Sequence, residues 1–187
     1  MILIDQDLDP DPAPRSKAVK RLSVPIAAAK AIDLRMPTVG TLAAFLAKAQ
    51  TSVRLRGQVT VLLTSDVMLR SLNRRFRGKK KATDVLSFPA DATAPGSEKI
   101  AGDLAISVPT AKRQAAGQGH SLSTEIKVLM LHGLLHLAGY DHEADSGEMA
   151  RRERLLRGKL RLPLGLIERV SVKKKPARKT AGKAGRP

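Results

Sequence analysis

The amino-acid sequence predicts a single α/β domain in which helices pack on a small mixed sheet. Two observations support this fold class. Several segments carry apolar residues at helical spacing, and short apolar runs rich in β-branched residues lie between them. In chain order the predicted elements are α, β, α, β, β, α, α, α. A length of 187 residues fits one domain with extensions at its ends.

The first three elements are predicted from periodicity and a cap. Residues 38–50 have one apolar face at helical spacing, which predicts a helix. The run 58–64 is short and β-branched, as in a buried strand. Ser65 or Asp66 can cap a second helix over 67–76, because their side-chain oxygens accept hydrogen bonds from the first turn.

The remaining elements surround one helix that is apolar nearly all round. That helix is predicted to begin after a cap at Ser121 or Ser123, and its apolar run over 126–137 indicates burial. The other strands and helices are predicted, in chain order, over 85–88, 102–107, 109–118 and 143–160.

Both ends of the chain differ in composition from the middle. Residues 1–20 hold four aspartates in the first eleven positions together with three prolines, which predicts a disordered leader. Residues 169–187 are rich in Lys and Arg and contain no acid, which predicts a disordered basic tail. The folded domain is therefore expected over 21–168. The N-terminus lacks a basic flank followed by an apolar core, so we expect no signal peptide and a cytoplasmic protein.

The composition favours a polyanionic partner. The formal net charge is +17, from 34 Lys and Arg against 17 Asp and Glu, which suits nucleic acid better than an acidic protein. No run approaches the roughly 18 apolar residues of a membrane span, so no membrane partner is expected. Only four residues are Phe or Tyr, which fits poorly with RNA modules built on aromatic stacking platforms. Charge and shape are expected to dominate RNA binding.

Three of the four histidines lie within eleven residues and indicate a metal site. His132 and His136 are four apart, so a helix places both rings on one face. Gly139 can end that helix and let the chain double back, which brings His142 to the same point. There is no cysteine, so imidazoles and carboxylates are the available ligands. Three converging imidazoles predict one Zn²⁺ per chain, with a fourth position open to water.

The same spacing occurs in the metzincin proteases, His-Glu-x-x-His-x-x-Gly-x-x-His. Position 133 is Gly in this chain, where those proteases carry the Glu that acts as general base. This difference argues against a peptidase. Candidates for a base are Asp141, Asp103 and Glu143, although Asp141 is equally suited to orient a ligand histidine and Asp103 to cap a turn. His120 stands apart beside a glycine, and we expect it to be a loop residue and not a ligand.

A second segment is strongly basic. Like charges this dense repel one another unless an anion is bound, so phosphate contact is predicted. Its cationic residues fall within twelve positions that contain no acid: Arg70, Arg74, Arg75, Arg77, Lys79, Lys80 and Lys81.

The motif His132-Gly-x-Leu-His136-Leu-x-Gly-Tyr-Asp-His142 resembles the signature of the YbeY family of bacterial metal-dependent endoribonucleases. The basic segment is also similar to that family, with Ala82 where a Pro is usual, and so is the strand that contains Asp103. Together the resemblance covers roughly 38–160. The second matching stretch reads Leu72-Asn73-x-x-Phe76-Arg77-Gly78-x-x-x-Ala82-Thr83-Asp84-Val85-Leu86-Ser87-Phe88-Pro89.

The resemblance implies a fold and an activity. The fold would be a sheet of about four strands with the metal helix packed on it. The activity would be hydrolysis of single-stranded RNA by a zinc-dependent nuclease, in small-subunit ribosomal RNA 3′-end maturation and ribosome quality control. Implied partners are ribosomal RNA, small-subunit proteins and an assembly GTPase. His136 and Arg77 would be catalytic, with Arg77 stabilising phosphate or transition-state charge.

Two other functions remain open from the sequence. One is a zinc-containing ribosome-assembly or RNA-binding factor whose metal mainly holds the fold. The other is a metallopeptidase-like hydrolase with the metzincin spacing. Metal removal distinguishes a structural zinc from a catalytic one, because loss of a structural zinc unfolds the protein.

Overall fold

The computed structural model describes residues 1–5, 8, 32–79, 83–91 and 100–164 of the chain. These residues form nine elements in the order β1, α1, β2, α2, β3, β4, α3, α4, α5. Their bounds are β1 Ile2–Ile4, α1 Val39–Val53, β2 Gln58–Thr64, α2 Asp66–Arg77, β3 Val85–Pro89, β4 Ile100–Ser107, α3 Val108–Gln118, α4 Leu122–Leu137 and α5 Glu148–Leu160.

The four strands form one mixed sheet in the order β1-β2-β4-β3. β1 and β4 run parallel to β2, and β3 runs antiparallel to β4. The register places Ile2, Val61 and Leu104 in one row across the sheet, and Ser87 of β3 ends that row. The predicted α/β fold class and small mixed sheet are confirmed, and so is the four-strand count that the family resemblance implied.

The buried face of the sheet carries α4. Leu104 and Ile106 of β4 lie in the same core as Leu131 and Leu134 of α4, and all four are fully buried. Gly133 packs close to the sheet, since a Cβ atom there would lie 2.7 Å from Leu104, and the Ser87 hydroxyl donates a hydrogen bond to its carbonyl at 3.2 Å. The nearly all-apolar surface of α4 is therefore explained by contacts on several sides.

The opposite face of the sheet packs on α2. Because strand side chains alternate between faces, Ala105 points away from α4 while Leu104 points toward it. Ala105 and Leu86 form a second, smaller core with Leu69 of α2. β3 therefore lies at the edge of the sheet with α2 on one side and α4 on the other.

The predicted capping residues begin the helices as their side-chain chemistry suggests. Ser65 accepts a hydrogen bond from the backbone N–H of Met68 at the start of α2, and Ser121 accepts one from Thr124 at the start of α4. Ser65 and Ser121 are the caps, and the alternatives Asp66 and Ser123 lie inside the helices. Asp66 instead accepts hydrogen bonds from residues of β4 and α3.

The structure differs from the sequence prediction at two places. Residues 2–4, expected within a disordered leader, form β1, because Ile2 is buried against the core and the strand pairs with β2. The last helix begins at Glu148 and not at residue 143. Residues 141–147 form turns in which the Asp145 carboxylate accepts hydrogen bonds from the backbone N–H groups of Gly147 and Met149.

Several predictions concern residues outside the described ones: most of the leader, the basic tail 169–187, and Lys80, Lys81 and Ala82. Within the described ranges, no helix combines the length and apolar character that crossing a membrane requires.

Candidate metal centre

The structure brings the three predicted histidines together at the end of α4. His132 and His136 lie one turn apart on that helix, and their Nε2 atoms are 3.2 Å from each other. The helix ends at Leu137, and Gly139 has a φ of +88°, a conformation that an L side chain rarely adopts. This reversal carries the chain back over the last turn and places His142 beside the other two rings.

The cluster has the size of a metal site. Ring centroids are separated by 4.8 Å for His132 and His136, 5.3 Å for His132 and His142, and 5.1 Å for His136 and His142. One nitrogen from each ring lies within 4.8 Å of the others, and all three side chains are partly buried. A group of three imidazoles that converges in this way could hold a metal ion.

The electrostatics of the cluster suit a metal ligand set. Burial, together with repulsion from His132 and His142, lowers the pKa of His136 from 6.5 to about 4. His136 is therefore neutral near pH 7, which is the form that binds a metal. The Nδ1 atom of His142 is buried and has no hydrogen-bond partner among the described residues. A buried polar atom without a partner is costly, and this one fits a site that a cation completes.

Glu153 of α5 orients His132, a role that the sequence prediction missed. Its Oε2 atom lies 3.0 Å from Nδ1 of His132, so the His132 Nε2 atom faces the cluster. Its Oε1 atom accepts hydrogen bonds from Nε of Arg157 at 2.7 Å and from Nη2 of the same side chain. Arg157 in turn donates to the carbonyl of Pro163 at 3.0 Å. A carboxylate behind a ligand histidine fixes its tautomer and ring orientation.

The charge on Glu153 is retained although the side chain is buried. Burial raises the pKa of its carboxyl, but the hydrogen bonds with His132 and Arg157 outweigh that effect and lower the pKa below its usual value. A sequence signal for this residue exists. Glu153 and Arg157 fall on the stripe of α5 that also contains Met149, Leu156 and Leu160, all of them buried. A charged pair on an otherwise apolar stripe indicates a buried interaction.

An open cleft of about 260 Å³ lies in front of the histidines and includes Arg77. Arg77 is the last residue of α2 and is exposed, so it belongs to a different element from the histidines. The cleft is lined by Arg77, Ser87, Pro89, His136, Gly139, Tyr140, Asp141, His142 and Glu143. Its wall therefore combines two of the predicted metal ligands with a cation suited to phosphate.

The three carboxylates considered as bases are placed differently. Asp141 and Glu143 both line the cleft. Asp141 accepts a hydrogen bond from the Glu143 N–H at 3.0 Å, and its charge opposes the lowering of the His136 pKa. Asp103 is exposed and, by strand alternation from Leu104, points to the face of the sheet away from α4. This placement separates Asp103 from the histidines and removes it from the candidates.

The basic residues of α2, and Lys79 just beyond it, are exposed on the segment that contains the cleft residue Arg77. Arg74, Arg75 and Lys79 are exposed, and Lys79 lies 4.0 Å from the carboxylate of Glu143. Among the described residues, no carboxylate pairs with Arg74, Arg75 or Arg77, so these charges are available to an anion. Their role in RNA binding stays a prediction.

His120 is not part of the cluster. It hydrogen-bonds to Glu125, a fully buried carboxylate in the first turn of α4.

Gly133 faces the sheet and not the cleft. A Cβ atom at this position would lie 2.7 Å from Cδ2 of Leu104 and 3.3 Å from the Ser87 hydroxyl. The position has no room for a glutamate side chain, which extends the argument against a peptidase from the sequence to the packing.

Comparison with known proteins agrees with this geometry. A family model described as Endoribonuclease YbeY matches residues 29–161. A relative from Koribacter versatilis (strain Ellin345), named Endoribonuclease YbeY, is 54% identical over 141 residues, covering 75% of this chain and 88% of the relative. A relative of the same name from Solibacter usitatus (strain Ellin6076) is 50% identical, covering 73% of this chain and 87% of the relative. Another from Nautilia profundicola (strain ATCC BAA-1463 / DSM 18972 / AmH) is 51% identical, covering 59% of this chain and 78% of the relative. The chain belongs to the YbeY endoribonuclease family.

Proposed function

We propose that this chain is a metal-dependent endoribonuclease that cuts single-stranded segments of ribosomal RNA. The observation that carries the proposal is the shared cleft, which is lined by Arg77 together with His136 and His142. The similarity to relatives named Endoribonuclease YbeY supports RNA as the substrate class. We further propose action in small-subunit RNA 3′-end maturation and ribosome quality control, in the cytoplasm, with small-subunit proteins and an assembly GTPase as partners.

Zn²⁺ is the metal that we propose for the histidine cluster, one ion per chain. His132, His136 and His142 would hold it, since an all-imidazole set without thiolates suits zinc among the common metals. When bound, the ion would polarise a phosphoryl oxygen and make a water molecule more acidic. The neutral state of His136 and the fixed orientation of His132 support this assignment.

Arg77 would bind the phosphate that is cut. Phosphodiester cleavage increases the negative charge on the phosphoryl oxygens, and a guanidinium offers several donors in a fixed plane to that charge. Because Arg77 is the exposed end of α2, it can contact the phosphate without losing a structural partner within the described chain. Removing one such donor commonly lowers the rate about 10²- to 10³-fold.

Asp141 is the stronger of the two remaining candidates for a proton acceptor. Its carboxylate is held by the N–H of Glu143, and its charge acts on the His136 ring. Glu143 is exposed, and its carboxylate lies 4.0 Å from the ammonium group of Lys79. The incoming RNA would attract the same ammonium group, so Glu143 is the weaker candidate. Replacing Asp141 with Asn would test this role, because the amide keeps the hydrogen bond from the backbone but accepts no proton at neutral pH.

A structural metal in an assembly factor is the competing function. The contacts of His132 with Glu153 and of Glu153 with Arg157 tie the cluster to α5, as a structural site would require. Metal removal separates the two proposals. We expect chelated protein to keep its circular dichroism spectrum and lose cleavage of a ribosomal RNA fragment, and added Zn²⁺ to restore it. Unfolding on chelation would favour the structural metal, and undiminished cleavage would contradict metal dependence.

A further inference from the structure

Phe76 is an exposed aromatic ring one residue before Arg77, which lines the cleft. It is 58% exposed, although it belongs to a chain with only four Phe and Tyr residues. Its ring makes an edge contact with Phe88 at a centroid distance of 5.2 Å and an interplanar angle of 68°. Leu72 and Phe88 pack on the small core below α2, whereas Phe76 is not among the residues packed there. The ring is thus held by one T-shaped contact with Phe88, while more than half of the residue faces solvent.

The surroundings of Phe76 are cationic. The guanidinium carbon of Arg75 lies 5.4 Å from the centre of its ring, and Arg74, Arg77 and Lys79 are exposed on the same stretch. An apolar ring within a positive surface suits a ligand that combines a flat apolar face with negative charge. A nucleobase attached to its phosphate has both properties.

The position of the ring relative to the cleft sets the geometry of such a ligand. Ser87 and Pro89 line the cleft, so Phe88 between them points to the other face of the edge strand β3. Phe76 precedes Arg77, which does line the cleft. An RNA strand with a phosphate at Arg77 would have to cross the edge strand β3 to bring a neighbouring base to Phe76.

We propose that Phe76 is a stacking site for one unpaired base of the RNA substrate, with Phe88 holding the ring and Arg75 contacting the adjacent phosphate. The proposal rests on the proposed function, since it assumes that RNA enters the cleft. The composition predicts that charge and shape dominate RNA binding, and this proposal adds one aromatic stacking site to the charged surface. Stacking requires an unpaired base, so this site would favour single-stranded over duplex RNA.

The test uses the full-length, zinc-loaded protein and a short single-stranded 2′-O-methyl oligonucleotide, whose integrity is checked after each titration. The fluorescent base 2-aminopurine is placed at successive positions. We expect wild-type protein to quench it at one position. Phe76→Ala should abolish that quenching and weaken binding about 5- to 100-fold. Phe76→Tyr, which keeps a flat ring, should bind within about twofold of wild type.

Four comparisons make the readout specific. Phe76→Leu keeps apolar volume without a π face and should behave like Phe76→Ala. Val67→Ala removes apolar surface from a residue that is 71% exposed on the same helix, and binding should not change. Phe76→Ala should leave the slope of log affinity against log salt unchanged, because no phosphate contact is lost, whereas Arg75→Ala should reduce it by about 0.7. An abasic site at the quenched position should remove the difference between wild type and Phe76→Ala.

The outcomes separate this proposal from the proposed function. If wild-type protein cleaves ribosomal RNA and binds the oligonucleotide, but Phe76→Ala binds equally well with the same quenching, the stacking site is wrong and the nuclease proposal stands. If wild-type protein neither binds the oligonucleotide nor cleaves RNA, both are wrong. Circular dichroism of each variant establishes that a loss of binding is not a loss of folding.

Discussion

Replacing Glu153 with Gln perturbs the orientation of His132 while changing the side-chain shape little. The Glu153 carboxylate serves two partners, with one oxygen 3.0 Å from Nδ1 of His132 and the other bound to Arg157. A glutamine has one acceptor oxygen and one donor NH₂ group. If the oxygen stays with Arg157, the NH₂ group faces His132 and favours a proton on Nε2, the atom that faces the cluster. That tautomer cannot bind a metal through Nε2.

The expected magnitude follows from this orienting role. Loss of a partner behind a ligand histidine lowers metal affinity about 10- to 100-fold, or roughly 1.4 to 2.7 kcal/mol. Removing one member of a buried ion pair destabilises a protein by about 3 to 5 kcal/mol, and Gln should cost less because it keeps one hydrogen bond to Arg157. The loss of stability arises because Glu153 and Arg157 are buried, whereas the loss of metal affinity arises from the changed His132 tautomer.

Competition with a chromophoric chelator measures the zinc affinity, and chemical denaturation measures the free energy of unfolding of the metal-free protein. The matched control is Glu148→Gln, which makes the same change on the same helix at an exposed ion pair with Arg151. We expect both quantities to change for Glu153→Gln and neither for Glu148→Gln. A Glu153→Gln protein with wild-type zinc affinity would refute the orienting role.

Three further predictions concern acid stability, packing and RNA binding. Burial raises the pKa of the Asp66 carboxyl, but hydrogen bonds from β4 and α3 outweigh burial and lower that pKa overall. The stabilisation that the Asp66 carboxylate contributes should therefore be present above about pH 4 and lost as the pH falls through the lowered pKa. Asp66→Asn should flatten the dependence of the unfolding midpoint on pH in that range. Gly133→Ala should destabilise the protein by about 1 to 3 kcal/mol because the new methyl group meets Leu104, whereas Gly158→Ala, with nothing within 4 Å, should stabilise α5 by up to about 1 kcal/mol. Arg74→Ala should reduce the salt dependence of RNA affinity by about 0.7 in slope without changing stability.

Specific results would contradict each of these predictions. Equal acid sensitivity of wild type and Asp66→Asn would mean that other carboxylates dominate below pH 4. A Gly133→Ala protein as stable as Gly158→Ala would mean that Leu104 moves at little cost. An unchanged salt slope for Arg74→Ala would remove that residue from the RNA surface.

The histidine cluster could be predicted from sequence because its geometry is local. A spacing of four on a helix fixes two rings, and a glycine at a helix end fixes the reversal that brings in the third. Gly139 has the positive φ that this reversal needs. Serine caps were predictable for the same reason, since each contacts a backbone group three residues away.

Features that depend on distant contacts were not predictable. The three residues of β1 are too few to show the alternation of a strand, and the strand with which they pair lies more than fifty residues later in the sequence. Asp103 could be placed on a strand, but its face depends on the register with β2 and β3. Glu153 lies in a helix that is predicted from its many charged residues, and this composition does not distinguish Glu153 from the others. Its position on the apolar stripe of the helix is the feature that indicates burial.

The histidines and Arg77 are proposed to act together on one RNA phosphate. Single-turnover cleavage of a structured ribosomal RNA fragment by wild type, His136→Ala, Arg77→Ala and Arg154→Ala tests this joint role. The last variant removes an exposed positive charge from α5. We predict that Arg77→Ala keeps wild-type zinc content and stability but cleaves at least about 100-fold more slowly, that His136→Ala loses both zinc and cleavage, and that Arg154→Ala cleaves normally. Cleavage by Arg77→Ala at the rate of Arg154→Ala would contradict the account.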